Sequence, residues 1–134
     1  MAPKYFEELE IWKASRELTC GIYKITNNGL FAKDYDLKSQ IRRAAASIMS
    51  NIAEGHERSG NPEFIQFLSI AKGSCGEVRS QLYIAMDQGY INNKDCERVI
   101  DSFKKLSSMI SNLMKYLKNS SYKGAKYKKT VQTA

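Results

Sequence analysis

Along the C-terminal third of the chain, Cys96, Val99, Phe103, Leu106, Ile110, Leu113 and Leu117 recur at alternating spacings of three and four residues. That alternation marks an α-helix with one apolar seam of coiled-coil type, and it predicts a helix over residues 93–118. Asn92 with Asp95 three residues on resembles a capping box, Asp being shorter than the favoured Glu. Residues 62–88 place Phe64, Phe67, Leu68, Ala71, Cys75, Val78, Leu82 and Ala85 on one helical face. Asn61 is expected to cap that helix, with Pro62 at the first position, where its missing N–H costs nothing. Gly89-Tyr90 suits a Schellman ending. Residues 37–58 carry Leu37, Ile41, Ala44, Ile48 and Ile52 before Gly60 breaks the helix. Residues 6–26 carry Trp12, Ser15, Leu18, Ile22 and Ile25, and Asn27-Asn28-Gly29 ends them. Residues 30–36 read as a loop in which Asp34 or Asp36 caps the second long helix. No strand-like alternation of useful length occurs. Matched lengths and short connections favour antiparallel neighbours. The expected fold class is therefore all-α, an antiparallel up-down-up-down four-helix bundle over residues 1–118, with a basic, mobile tail over 119–134.

The two middle helices carry more than one bundle core requires. On the second, Ala45, Met49, Ala53 and His56 extend the core face into an apolar and small-residue arc about 200° wide. On the third, Gln66, Ile70, Gly73, Glu77, Gln81 and Ile84 run opposite the core face. Two isoleucines and a mid-helix glycine are unexpected on a wet face. Gly73 and Gly76 each cost about 1 kcal/mol relative to alanine, so a close backbone approach is a reasonable purpose. The favoured reading is a subunit interface formed by Ala45, Met49, Ala53, Gln66, Ile70, Gly73, Gln81 and Ile84. The alternative is scattered surface apolars, which are common.

Beside the core face of the second helix lies a polar stripe of Arg43, Ser47, Asn51, Glu54 and Arg58, with Glu77 on the third helix as a further member. One reading is a site for a ligand or a nucleic-acid phosphate. The favoured one is an internal hydrogen-bonded and ionic network, since Glu54 and Arg58 are spaced to pair on one face. Such a network can set helix register without adding much net stability.

Charge changes the picture at one end only. The net charge is +7, yet residues 1–101 hold 13 Lys and Arg against 14 Asp and Glu. Residues 102–134 hold eight lysines and no acid. An anionic partner is expected at that end, the alternative being a solvated tail that aids solubility. Lys118, Lys123, Lys126, Lys128 and Lys129 are the candidate nucleic-acid contacts, with Tyr122 and Tyr127 available to stack on bases. The tail has no arginine for bidentate base contacts, so binding is expected to be non-specific.

Other chemistry finds little support. Cys20, Cys75 and Cys96 are odd in number and fall among apolar helical positions, so three buried thiols in a cytoplasmic protein are expected. The charged N-terminus has no signal-peptide core, and no apolar run spans a bilayer, so no membrane role is expected. The single histidine, His56, cannot supply a zinc set or the paired Glu-x-x-His motifs of a di-iron bundle. A helix-end capping or surface role suits it better than base catalysis. No phosphate-cradling glycine loop occurs. No catalytic residue, metal site or cofactor is expected, and the chain reads as a non-enzyme.

The motifs Ser39-Gln-Ile-Arg-Arg-Ala-Ala45, Ser50-Asn-Ile-Ala-Glu-Gly55, Glu63-Phe-Ile-Gln-Phe-Leu68, Ile70-Ala-Lys-Gly-Ser74 and Gly89-Tyr-Ile91 stand in order, with Trp12 upstream in Leu9-Glu-Ile-Trp-Lys13. In these the chain resembles the bacterial four-helix-bundle proteins named for intervening sequences in 23S ribosomal RNA genes, over about residues 5–117. The resemblance implies a cytoplasmic homopentamer. It also implies similarity to the accessory protein of diversity-generating retroelements, a pentameric bundle that binds a reverse transcriptase and nucleic acid. The partners so implied are further copies of the chain, RNA or DNA, and a reverse transcriptase or other protein. Most members of the family have no established activity. Met49 departs from the proline usual after Ser-Ile, which is expected to leave the second helix straighter.

Overall fold

The computed structural model describes residues 3–120. Five α-helices come after a 3-10 turn at Phe6–Glu8: α1 (Glu10–Ile25), α2 (Gly29–Lys33), α3 (Tyr35–Glu57), α4 (Asn61–Asp87) and α5 (Asn93–Asn119). The four long ones form the bundle. Three residues join α3 to α4 and five join α4 to α5, so each pair turns back antiparallel. Helix α4 packs on both α3 and α5, and α1 closes the ring against α3 and, less extensively, α5.

The apolar stripes meet in one core. Ile22 of α1, Ile41, Ile48 and Ile52 of α3, Leu68, Val78 and Leu82 of α4, and Phe103 and Ile110 of α5 are fully inaccessible. Within α5 the phase is turned slightly from the sequence pattern: Ile100 is buried, whereas Val99 and Leu113 are half-buried.

Local stop and start signals act as their chemistry dictates. Gly89 takes φ +76°, its N–H donates to the Met86 carbonyl at 3.0 Å and the Tyr90 N–H donates to Ala85 at 2.9 Å. These are the two bonds of a Schellman ending. The Asp34 carboxylate caps α3 by accepting from the Leu37 N–H at 3.1 Å. Asn92 caps α5 by accepting from the Asp95 N–H at 2.8 Å. The Asn92 side-chain amide and Arg98 both bond the Asp95 carboxylate and hold it below the usual carboxylate range. Helix α3 runs unbroken through Met49.

Four expectations need correction. The first helix begins at Glu10 rather than residue 6, because Leu9 is extended and buried. That break folds Phe6 back onto Trp12, edge to face at 5.1 Å between ring centres. The expected loop over residues 30–36 contains α2, whose five residues are too few for a stable helix on their own. Burial of Phe31 against Tyr90, with 5.4 Å between ring centres, holds it in place. Asn61 is not a cap: Gly60 at φ +95° precedes α4, and the Asn61 amide is buried, donating to the Leu117 carbonyl at 3.2 Å. Cys20 is exposed, because the buried positions of α1 are Ile11, Ser15, Thr19 and Ile22.

Cys75 and Cys96 are buried, and burial pushes the Cys75 thiol up to about 11 and raises that of Cys96. A buried neutral thiol is a poor nucleophile. A thiol-specific chromophoric reagent at pH 8 is therefore expected to titrate one cysteine in the native protein and all three in denaturant. Two or more fast native thiols would contradict the packing of α4 against α5.

Candidate interaction surfaces

The polar stripe on α3 is divided into local groups. Arg43 donates to the Ser39 hydroxyl one turn earlier. Asn51 donates to the Ser47 carbonyl at 2.8 Å and to its hydroxyl at 3.0 Å, and Ser74 of α4 donates to that same hydroxyl at 3.0 Å. Arg58 pairs with Glu54 at 2.8 Å and stands 3.9 Å from Glu63, with its guanidinium over the Phe67 ring. Its hydrogen bond to Glu54 raises the Arg58 pKa. Arg43 and Glu77 line one recess with Gln40, Ala44 and Ser47, yet the Glu77 side chain makes no hydrogen bond or ion pair among the described residues. The internal hydrogen-bonded and ionic network expected from the sequence thus forms only as separate groups, with Arg43 and Glu77 joined to neither of the others. Partners one helical turn away are always within reach, and most of these side chains take them.

His56 is not on the surface. Its side chain is 14% exposed, Nε2–H donates to the Pro3 carbonyl at 3.0 Å and the ring meets Phe64 edge to face. The imidazole thereby ties the N-terminal segment to the end of α3.

The expected interface residues separate into two sets. On α4, Gln66, Ile70, Gly73 and Ile84 are exposed, and Tyr83 lies open beside Ile84. Ile70 and Ile84 keep 49% and 47% of their surface in water, about 21 Å apart along α4, with Gly73 and Glu77 exposed between them. On α3, Met49 and Ala53 are half-buried. Ala45 and Gln81 are corrections, since both lie inside the subunit. The Ala45 carbonyl accepts from the Thr19 hydroxyl of α1 at 3.3 Å, so α1 takes up the part of the wide arc that Ala45 contributes. Gln81 is buried with Oε1 unpartnered among the described residues.

Of the lysines assigned to nucleic acid, Lys118 is exposed near the end of α5, while Lys123, Lys126, Lys128 and Lys129 lie outside the described residues, as do Tyr122 and Tyr127. Lys104, Lys105 and Lys115 are exposed along the same helix. Lys115 and Lys118 border a small recess with Ile65, Ser111 and Met114.

One feature escaped the sequence. Between α1 and α3 lies a cavity of about 390 Å³ lined by Tyr23, Tyr35, Lys38, Ser39, Arg42, Arg43 and Ala46. The Arg42 guanidinium lies over the Tyr23 ring, 4.3 Å from its centre. Tyr35, Lys38, Ser39, Arg42 and Ala46 have helical spacing, a signal present in the sequence, but only packing brings Tyr23 to them.

Among the described residues no cluster of His, Cys, Asp and Glu could hold a metal ion, and no helix is long and apolar enough to cross a membrane. The fold defines an all-α bundle of four long antiparallel helices whose distinguishing features lie on its outer faces. The chain belongs to the 23S rRNA-intervening sequence protein family, whose model matches residues 7–112. A solved structure with the same fold is a protein of unknown function from the S23 ribosomal protein family of Bacteroides thetaiotaomicron VPI-5482. It superposes with a TM-score of 0.72 at 24% identity, over 78% of this chain and 98% of the other. No curated protein matches the chain.

Proposed function

We propose that the protein is a non-enzymatic, homo-oligomeric scaffold or accessory protein that associates with nucleic acid without sequence specificity. The observation that carries the nucleic-acid reading is charge segregation: eight lysines and no acid stand in residues 102–134, beyond a body of almost balanced charge. Lysines spaced along a helix and beyond it attract a phosphate backbone and displace its counterions. The assembly reading rests on the exposed Ile70, Tyr83 and Ile84 of α4, and the family resemblance favours a pentamer. A cytoplasmic location fits the three unpaired cysteines.

Binding to duplex DNA and RNA across a salt series tests the first part. If Lys123, Lys126, Lys128 and Lys129 each contact one phosphate, the log–log salt slope on duplex DNA is expected near −3.6, at about −0.9 per contact. Affinity then falls about 150-fold between 50 and 200 mM salt. Replacing those four lysines by glutamine is expected to make the slope shallower by about 3.6. No binding at low salt, or binding indifferent to the replacement, overturns the reading. Native mass spectrometry tests the second part, and a monomer at high micromolar concentration overturns it.

The exposed apolar side chains of α4 also favour an alternative, a module that binds another protein and has no direct nucleic-acid role. A stoichiometric protein partner retained after nuclease treatment would support that alternative.

A further inference from the structure

We propose that the cleft between α1 and α3 is a second nucleic-acid contact and that it accepts a single strand. The proposal rests on the nucleic-acid reading above but assigns it a different surface, on the folded body.

Three cations line the cleft, Lys38, Arg42 and Arg43, and no carboxylate does. None of the three forms an ion pair among the described residues. Arg42 is held in place before any ligand arrives. Its Nε donates to the Thr26 hydroxyl at 2.9 Å and Nη2 to the Tyr23 carbonyl at 3.2 Å, at the C-terminal turn of α1. Those bonds leave Nη1 without a partner among the described residues and keep the guanidinium over the Tyr23 ring. A guanidinium fixed in this way offers hydrogen bonds to a phosphate and a flat face to a base.

Tyr35 completes the pattern. The residue is 76% exposed at the start of α3, one turn before Lys38 and Ser39. An aromatic ring so open in water is a stacking platform without an occupant in the subunit. From Tyr35 to Ala46 the cleft tracks one face of α3 for about 17 Å at 1.5 Å per residue. That length matches about five stacked nucleotides at 3.4 Å each. Cations to hold phosphates beside one open tyrosine, Tyr35, to hold a base are the elements of a single-strand site, Tyr23 being engaged by Arg42. A duplex keeps its base faces stacked inside and can use only the cations.

Fluorescence anisotropy on the full chain tests this, with a labelled uridine tract and an RNA duplex of equal length as probes. Four proteins are compared: wild type, Tyr35→Ala, Arg43→Ala, and the variant with Lys123, Lys126, Lys128 and Lys129 replaced by glutamine. Arg42 is left intact because it ties α3 to α1. Tyr35→Ala is expected to weaken single-strand binding at least about fivefold and to leave duplex binding unchanged. Arg43→Ala is expected to make the single-strand salt slope shallower by about 0.7. Both positions are exposed, and helicity by circular dichroism verifies each fold. If both cleft variants bind the single strand as wild type does while the lysine variant loses both probes, the cleft is overturned and the function proposed above stands. If Tyr35→Ala loses the single strand while the lysine variant binds normally, the cleft stands and the role of the lysines falls. A wild type that binds neither probe overturns both.

Discussion

The Phe103→Ala variant is expected to lose about 3–5 kcal/mol of stability, the range for deleting a fully buried phenylalanine ring. Phe103 has no accessible surface and sits in the middle of α5, between the buried Ile100 and Leu106. Helix α5 packs on α4 and α1, so a void at its centre loosens the element that closes the ring. The neighbouring backbone cannot collapse into that void without displacing a long helix, so most of the cavity cost persists. The midpoint of thermal unfolding is expected to drop by about 10–20 °C. Urea unfolding monitored by helical circular dichroism measures the effect. Val99→Ala is the internal comparison: Val99 belongs to the same sequence seam but is half-buried, and it is expected to lose far less. A Phe103→Ala protein within about 1 kcal/mol of wild type would contradict the packing of α5 described above.

Gly55→Ala is expected to destabilise the protein by about 1–3 kcal/mol, although alanine is the better helix former. A Cβ at position 55 would stand 2.7 Å from the Phe67 Cβ, 2.9 Å from Phe64 Cδ1 and 3.4 Å from the Phe64 carbonyl oxygen. The Phe67 Cβ is one bond from the backbone and cannot swing aside, so α3 and α4 would have to part near their three-residue connection. Gly73→Ala gives the opposite expectation for a single subunit. A Cβ there meets nothing within 4 Å, so alanine is expected to add about 1 kcal/mol through helix propensity. If a second subunit closes on this face of α4, the same substitution weakens assembly instead. Unfolding midpoints measured at two protein concentrations, together with native mass, separate these outcomes. A gain for Gly73→Ala at every concentration with unchanged mass would count against the α4 face as the subunit contact.

Much of the bundle is legible in the order of residues. The four long helices, the core faces of α3 and α4, the Asp34 and Asn92 caps and the Schellman ending at Gly89 all stand where local chemistry predicts them. The candidate surfaces are less legible. The polar stripe lies on one side of α3 as predicted, but its members form separate groups, most pairing one turn apart and only Ser47 and Arg58 reaching α4, instead of joining into one network. The apolar excess of α4 is exposed at Ile70 and Ile84, as its pattern predicts, whereas Ala45 and Gln81 are covered within the subunit.

The division has one physical cause. Helix period, caps and terminating glycines are set by groups within about one turn of each other, so residue order alone specifies them. Which side of a helix is covered depends on elements far away in the chain. The choice of α1 to cover Ala45, the burial of Phe31 that makes α2 a helix, and the meeting of Arg42 with Tyr23 all bring together residues more than a dozen positions apart. Such contacts form only when the whole core closes, and no local energy in the sequence encodes them.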